Sequence, residues 1–290
     1  MLSGPIPEWV VTVFAAVTVF TVMLSLGLGI VLGELRWIWQ RPDPIARGLF
    51  SVLVAVPALA LLVTRALDVP RLPAIGIVLM AISPGAPMAL RRSLDAGGHH
   101  AFAPSLQIWV AVLAVVSIPL SLAALNPLYA GHASVTPGHV ARQVFFAQLL
   151  PLGLGMALRH TAAPLAGWLE PRLARIGTLL LVLLAIVALI DVWDVAIGAG
   201  LRVASAIVLT TVASLAIGHL LGGPEPATRT AVAITSAARN PGLALLVAGL
   251  NSASDPIQGT VLAYLVISMF TIIPYMAWRR HIGAQISRAR

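Results

Sequence analysis

The residue with the greatest chemical reach is Arg239, set in the middle of an apolar run over about 228–249. A guanidinium carries a fixed charge and five N–H donors in a planar fork, which suits a bidentate grip on a carboxylate or similar anion. A charge near the centre of a bilayer costs about 2.5–3.5 kcal/mol on insertion scales, so it needs a partner. No acid lies inside any apolar run; Asp191 and Asp194 stand at the end of one. Three readings of Arg239 stay open. It binds the free carbonyls of a broken helix, whose C-terminal end is partly negative. It binds an anionic ligand. Or it neutralises helix ends near an interface.

Its neighbours extend the candidate ligand-binding set to Asn240, Thr235, Ser236, Gln107 and Ser83. Thr235 precedes Arg239 by four positions and shares its helix face. Its hydroxyl and that of Ser236 bond either a ligand or their own helix. Gln107 in a separate apolar run calls for an interhelical bond or a ligand. Gln143 and Gln148 read as packing groups, and Arg91-Arg92 as an interfacial anchor. His219 reads as an interfacial residue before a proton carrier. His99 and His100 lack the i, i+4 spacing of a metal pair and read as solvated. With no cysteine, thiolate chemistry is excluded. No apolar run holds a carboxylate pair, a Ser–His pair on facing positions or a His-x-x-x-His site, and no phosphate-binding loop is present, so an enzyme has least to build on.

The elements that must position these residues are membrane helices. Of 290 residues, 59% are apolar and 10% charged, against about 25% charged in a soluble domain. A spanning helix needs about 20 apolar residues. Nine segments qualify, at roughly 8–32, 46–66, 72–94, 102–124, 140–158, 173–193, 199–221, 228–249 and 257–278. The polar gaps near 125–139 and 159–172 are too short for another domain. The first Arg is Arg36, so the N-terminus lacks the positive region of a cleavable signal.

All 18 basic residues are arginines. With the N-terminus outside, thirteen fall in cytoplasmic segments: Arg36, Arg41, Arg47, Arg91, Arg92, Arg159, Arg172, Arg175, Arg229, Arg279, Arg280, Arg288 and Arg290. Four fall outside: Arg65, Arg71, Arg142 and Arg202. This bias sets the N-terminus outside and the C-terminus in the cytoplasm. The net charge of +8 is therefore topology and contact with anionic lipid, not nucleic-acid binding. A multi-pass protein of a bacterial plasma membrane is expected, as monomer or homodimer in the lipid bilayer.

Two of the nine spans carry helix breakers at mid-depth, Ser83-Pro84-Gly85-Ala86-Pro87 and Arg239-Asn240-Pro241-Gly242, at matching places 157 residues apart. Proline removes a donor and glycine frees the backbone. Within lipid the released backbone groups must find protein or water. Matched interrupted spans point to the midplane binding site of a secondary transporter.

These motifs resemble the bile acid:sodium symporter family over about residues 12–280. Met23-Leu24-Ser25-Leu26-Gly27-Leu28 is similar to its Met-x-x-Met-Gly-Leu. Arg41-Pro42 leads into a span with Pro57, as in that family. Pro84-Gly85-Ala86-Pro87, with Gly97-Gly98 after it, resembles its Pro-Gly-Gly-Thr-Ala-Ser-Asn crossing helix. Arg239-Asn240-Pro241-Gly242-Leu243 resembles its Gln-Asn-Ser-Gly-Leu. The resemblance implies an all-α inverted-repeat fold of nine transmembrane helices with two broken crossing helices. A core would hold about 46–124 and 199–278, and a panel about 8–32, 140–158 and 173–193. An organic anion would bind between them and cross by alternating access, typically with sodium.

The positions that would bind sodium depart from the family. They fall on Ala89, Leu90, Ala103, Gln107, Thr235 and Arg239. The family's Glu becomes Thr235 and its Gln becomes Arg239, so a cationic group stands where a cation would bind. Sodium is thus implied by the resemblance and unsupported by the residues; no other cofactor or metal is expected. The leading function is a secondary transporter of an organic anion of amphipathic type. The alternatives are an exporter of the wider efflux-carrier group and a membrane ligand sensor that does not transport.

Overall fold

The computed structural model describes residues 8–31, 33, 42–125, 137–191, 200–250 and 253–288. Among these the regular elements are all helical, with no strand. They are α1 (Glu8–Gly29), α2 (Pro42–Phe50 and Val56–Ala66, joined by a π-turn Ser51–Ala55), α3 (Arg71–Ala81), α4 (Pro87–Asp95) and α5 (Phe102–Leu125). Then follow α6 (Pro137–Val144 and Leu150–Thr161, joined by a π-turn Phe145–Leu149), α7 (Ala163–Asp191), α8 (Gly200–Leu221), α9 (Pro226–Ala237), α10 (Pro241–Leu250) and α11 (Asp255–Arg288). Arg36, Arg41, Asp194, Arg290 and most of the 125–139 gap lie outside the described residues.

Seven stretches among the described residues are long and apolar enough to cross a bilayer. α3 is apolar but shorter. The segment expected as one span over 72–94 is thus two helices, α3 and α4, interrupted from Ile82 to Ala86. The polar stretch at 159–172 is too short for another domain, as expected, and is almost wholly helical. Ala162, at φ −139° and ψ 61°, turns the chain after α6. α7 then starts at once, with Pro164 in its first turn, where no backbone donor is missed.

The two π-turns share one cause. Pro57 and Pro151 have no N–H to continue the helical ladder. Just before each, the backbone slips by one residue: Val56 N–H bonds Ser51 O, and Leu150 N–H bonds Phe145 O. A slip of this kind leaves one carbonyl without its usual donor. In α2 that carbonyl belongs to Val52.

α1 packs along α7 and the second half of α6, while α8 packs against α2, α9 and α11. α1 and α6 meet backbone to backbone at Gly27 and Gly155. A Cβ on Gly155 would strike Leu24 O, and one on Gly27 would strike Leu152 O. The helix ends sort by side. His99 N–H bonds Ala227 O at 3.2 Å, and Arg280 Nε bonds Asp95 O at 2.8 Å. Arg47 lies beside Gly223 in the same region. At the opposite end of α2 and α8, Arg202 Nη1 bonds Asp68 O at 3.1 Å. Arg47, Arg229 and Arg280 therefore share one end of the bundle.

The glycine contact makes a direct prediction. Gly155→Ala lowers stability by about 1–3 kcal/mol, the usual cost of overpacking. Gly153→Ala, two residues away with nothing within 4 Å of its Cβ, is neutral or stabilising by up to about 1 kcal/mol, since glycine weakens helix interiors. Thermal unfolding in detergent reads both.

Candidate substrate site at the crossed helix breaks

The second break is a helix stop followed at once by a helix start. α9 ends at Ala237, and Ala238 is extended at φ −79° and ψ 110°. Asn240 then caps α10: its Oδ1 accepts the Leu243 N–H at 3.1 Å, with Pro241 at the first helical position. Asn before Pro is a favourable helix opening, because the amide oxygen takes an orphan N–H and proline misses no donor. The cap leaves the remaining polar groups of Asn240 free for the first break. Its backbone N–H bonds Ser83 O at 3.0 Å, and its Nδ2 reaches Gly85 O at 3.4 Å.

In the first break, Gly85 takes φ +83°, the left-handed region that favours glycine. Ala86 precedes α4 with no side-chain cap. Its carbonyl accepts Gln107 Nε2 at 3.1 Å. The broken backbone is therefore satisfied from two directions, by Asn240 of the other break and by Gln107 of α5.

Arg239 is 4% exposed. Its Nη1 donates to Val52 O at 3.0 Å, the carbonyl left over by the α2 π-turn. Its Nε and Nη2 have no hydrogen-bond partner among the described residues. The fully buried Tyr264 lies within electrostatic reach of the guanidinium. Next to this contact, Ser236 Oγ and Ser51 Oγ are 2.8 Å apart, a second tie between α9 and α2. The partner of Arg239 is thus a carbonyl on another helix, not the carbonyl end of its own half-helix.

A cavity of about 280 Å³ lies against the second break, walled by α1, α4, α7 and α11. Arg239, Asn240, Pro241 and Gly242 border it. Thr235, Ser236, Gln107 and Ser83 do not; all four are buried behind it. Ser83 Oγ is spent on Leu79 O of its own helix at 2.7 Å. A second cavity of about 310 Å³ shares the walls Val22, Met88 and Thr178 with the first, and is bordered by Arg91 and Glu170. Of the positions where the family's sodium ligands fall, Ala89 and Ala103 are buried and, like Leu90, carry no side-chain oxygen.

Several side chains hold roles that their sequence positions do not announce. Gln148, read above as a packing group, lies against the first break. A Cβ on Gly85 would sit 2.8 Å from its Nε2, and neither its Nε2 nor its Oε1 has a partner among the described residues. Pro151, three residues later, was the available signal, because it causes the π-turn that carries Gln148. Arg92, read above as part of an interfacial anchor, borders the 280 Å³ cavity, and Arg91 borders the other. His99 is not simply solvated: its Nδ1 accepts the N–H groups of Ala101 and Phe102 at 3.2 Å and opens α5. His219 Nδ1 lies 2.8 Å from the Tyr275 hydroxyl.

Membrane-length helices, with two broken helices hydrogen-bonded beside a cavity, place the chain among multi-pass helical membrane proteins. Residues 16–199 match the Sodium Bile acid symporter family, and the chain belongs to that family. The match takes in the first break and ends before the second. Among curated relatives, human P3 protein is 27% identical over 145 residues, covering 49% of this chain and 30% of the relative. The "Probable sodium/metabolite cotransporter BASS3, chloroplastic" of Oryza sativa subsp. japonica is 24% identical over 165 residues, covering 57% of this chain and 38% of the relative. The chain thus spans about a third of the length of these relatives.

Gly85 supplies the test of the break. Gly85→Ala costs at least about 1–2 kcal/mol from the left-handed backbone alone, plus a clash with Gln148. Adding Gln148→Ala recovers the clash and leaves the backbone cost. Melting temperatures of the two variants separate these contributions.

Proposed function

We propose that this protein is a secondary transporter that carries an organic anion across a bacterial plasma membrane by alternating access. Nine spans in an inverted repeat would divide into a core, about 46–124 and 199–278, and a panel, about 8–32, 140–158 and 173–193. The packing of α1 on α6 and α7 favours that division, as does the position of the cavity between α1 and α7 on one side and the breaks on the other. The arginine bias favours an outside N-terminus and a cytoplasmic C-terminus.

One observation carries the reading. Arg239 is buried, makes one hydrogen bond among the described residues, and borders a cavity with no acidic residue in its described wall. A buried cation without a counter-charge is costly unless a ligand supplies one. α4 and α10 also begin at this cavity, and their N-terminal ends favour negative charge.

In the proposed mechanism Arg239 takes the place of a bound sodium ion. It supplies permanently the positive charge that a cotransported cation would supply on each cycle. Transport would then be uniport, exchange or proton-coupled. The name of the rice relative, a sodium/metabolite cotransporter, makes sodium the comparison to run.

Two measurements test this. The melting temperature of the purified protein should stay flat when sodium chloride replaces choline chloride at constant ionic strength. A bound ion at ten times its dissociation constant would stabilise by about 1.4 kcal/mol, so a saturable sodium-specific rise sinks the built-in-cation mechanism. Arg239→Gln should weaken anion binding by about 2 kcal/mol or more, the range for losing one side of a buried charge pair, without creating sodium dependence. Anion uptake into proteoliposomes that survives this substitution would remove Arg239 from the site.

A further inference from the structure

We infer that the cavity at the second break takes a dianion, and that Arg92 is its second anion-binding residue. The inference rests on the anion-transport reading above and names the substrate class of that same site. Two cations, Arg239 and Arg92, border this one cavity, and no Asp or Glu is among its described walls. Among the described residues Asp95 pairs with Arg280, and Glu225 lies 3.7 Å from His99 Nε2, so neither acid serves this cavity. A ligand with one negative charge would leave one guanidinium uncompensated beside a largely apolar wall. A ligand with two would compensate both.

Helix geometry brings the two guanidinium groups toward the same space. α4 starts at the first break, and Met88 on its first turn borders the cavity. Arg92 follows Met88 by four residues and lies on the same face. Side chains on a helix lean toward its N-terminus, so the Arg92 side chain leans back toward the break and Arg239. From Ala86 to Arg92 the helix rises about 9 Å, which sets the scale of the separation.

The rest of the wall is mostly hydrocarbon, with Val19, Val22, Leu181 and Met269 on it beside the hydroxyls of Thr18, Thr178 and Ser268. A ligand that fits is charged at both ends and apolar in between. The cavity, of about 280 Å³, has room for a small organic acid. A short α,ω-dicarboxylate matches on charge, polarity and size.

The test uses the purified full chain in detergent and two probes of equal chain length, adipate and hexanoate, at constant ionic strength. Saturable rises in melting temperature give the affinities. Adipate should bind at least tenfold more tightly than hexanoate. Arg92→Gln should bring adipate to the hexanoate level while leaving hexanoate unchanged. Arg92→Lys, which keeps a point charge, should retain most of the preference; this excludes misfolding as the cause of the loss. Arg239→Gln should weaken both acids. Equal affinity for the two probes overturns the dianion; an adipate preference untouched by Arg92→Gln overturns the role of Arg92, which is then an anchor at the end of α4. No saturable shift with either acid, or shifts indifferent to Arg239→Gln, overturns the anion reading and this inference with it.

Discussion

The site depends on one hydrogen bond, from the Arg239 guanidinium to the carbonyl of Val52. That carbonyl is available because Pro57 forces α2 through a π-turn and leaves Val52 without its usual donor. A flaw in one helix thus becomes the seat of a charge on another. In a medium that offers little water, neither group would be tolerable alone. The bond covers only part of the fork, and Nε and Nη2 remain without partners among the described residues. The protein positions the cation without neutralising it, and an anion site needs that combination.

The crossed breaks solve a related difficulty. Interrupting a helix within lipid releases backbone groups that must be paired. Each break here answers part of the other's need. Asn240 opens α10 with its side-chain oxygen and gives its two N–H sources to Ser83 O and Gly85 O. Gln107 completes the set at Ala86 O. Asn240 and Gln107, which look like ligand-binding groups by type, are therefore partly structural. Gln148 runs the other way: its buried amide lies against Gly85 without a partner among the described residues.

Much of this architecture is legible in the chain itself. Helix positions follow from apolar length, because the bilayer demands about 20 such residues and tolerates few charges. The breaks follow from Pro-Gly pairs, because proline and glycine act on their own backbone. The importance of Arg239 follows from the cost of a buried charge. The start of α7 is not legible from apolar length, because its first turns carry charged residues and helix continues beyond the apolar span. The same local logic passed over His99, whose ring caps α5 through contacts two and three residues away.

What sequence alone determined, then, were the properties that belong to a single segment: membrane insertion, helix interruption, the presence of a costly cation and the excess of arginine at one end. Tertiary structure decided which segments meet. Residues 187 positions apart join Arg239 to Val52, and 155 positions separate Asn240 from Gly85. Helical packing chose which faces of α1, α4, α7 and α11 enclose a cavity. That choice put Arg92 on the wall and buried Ser83, Thr235, Ser236 and Gln107 behind it. The physical reason is that apolar periodicity says how deeply a helix is buried but not against what. In these nearly all-apolar helices even the buried face is weakly marked, so contacts between distant polar groups emerge only once the helices are packed.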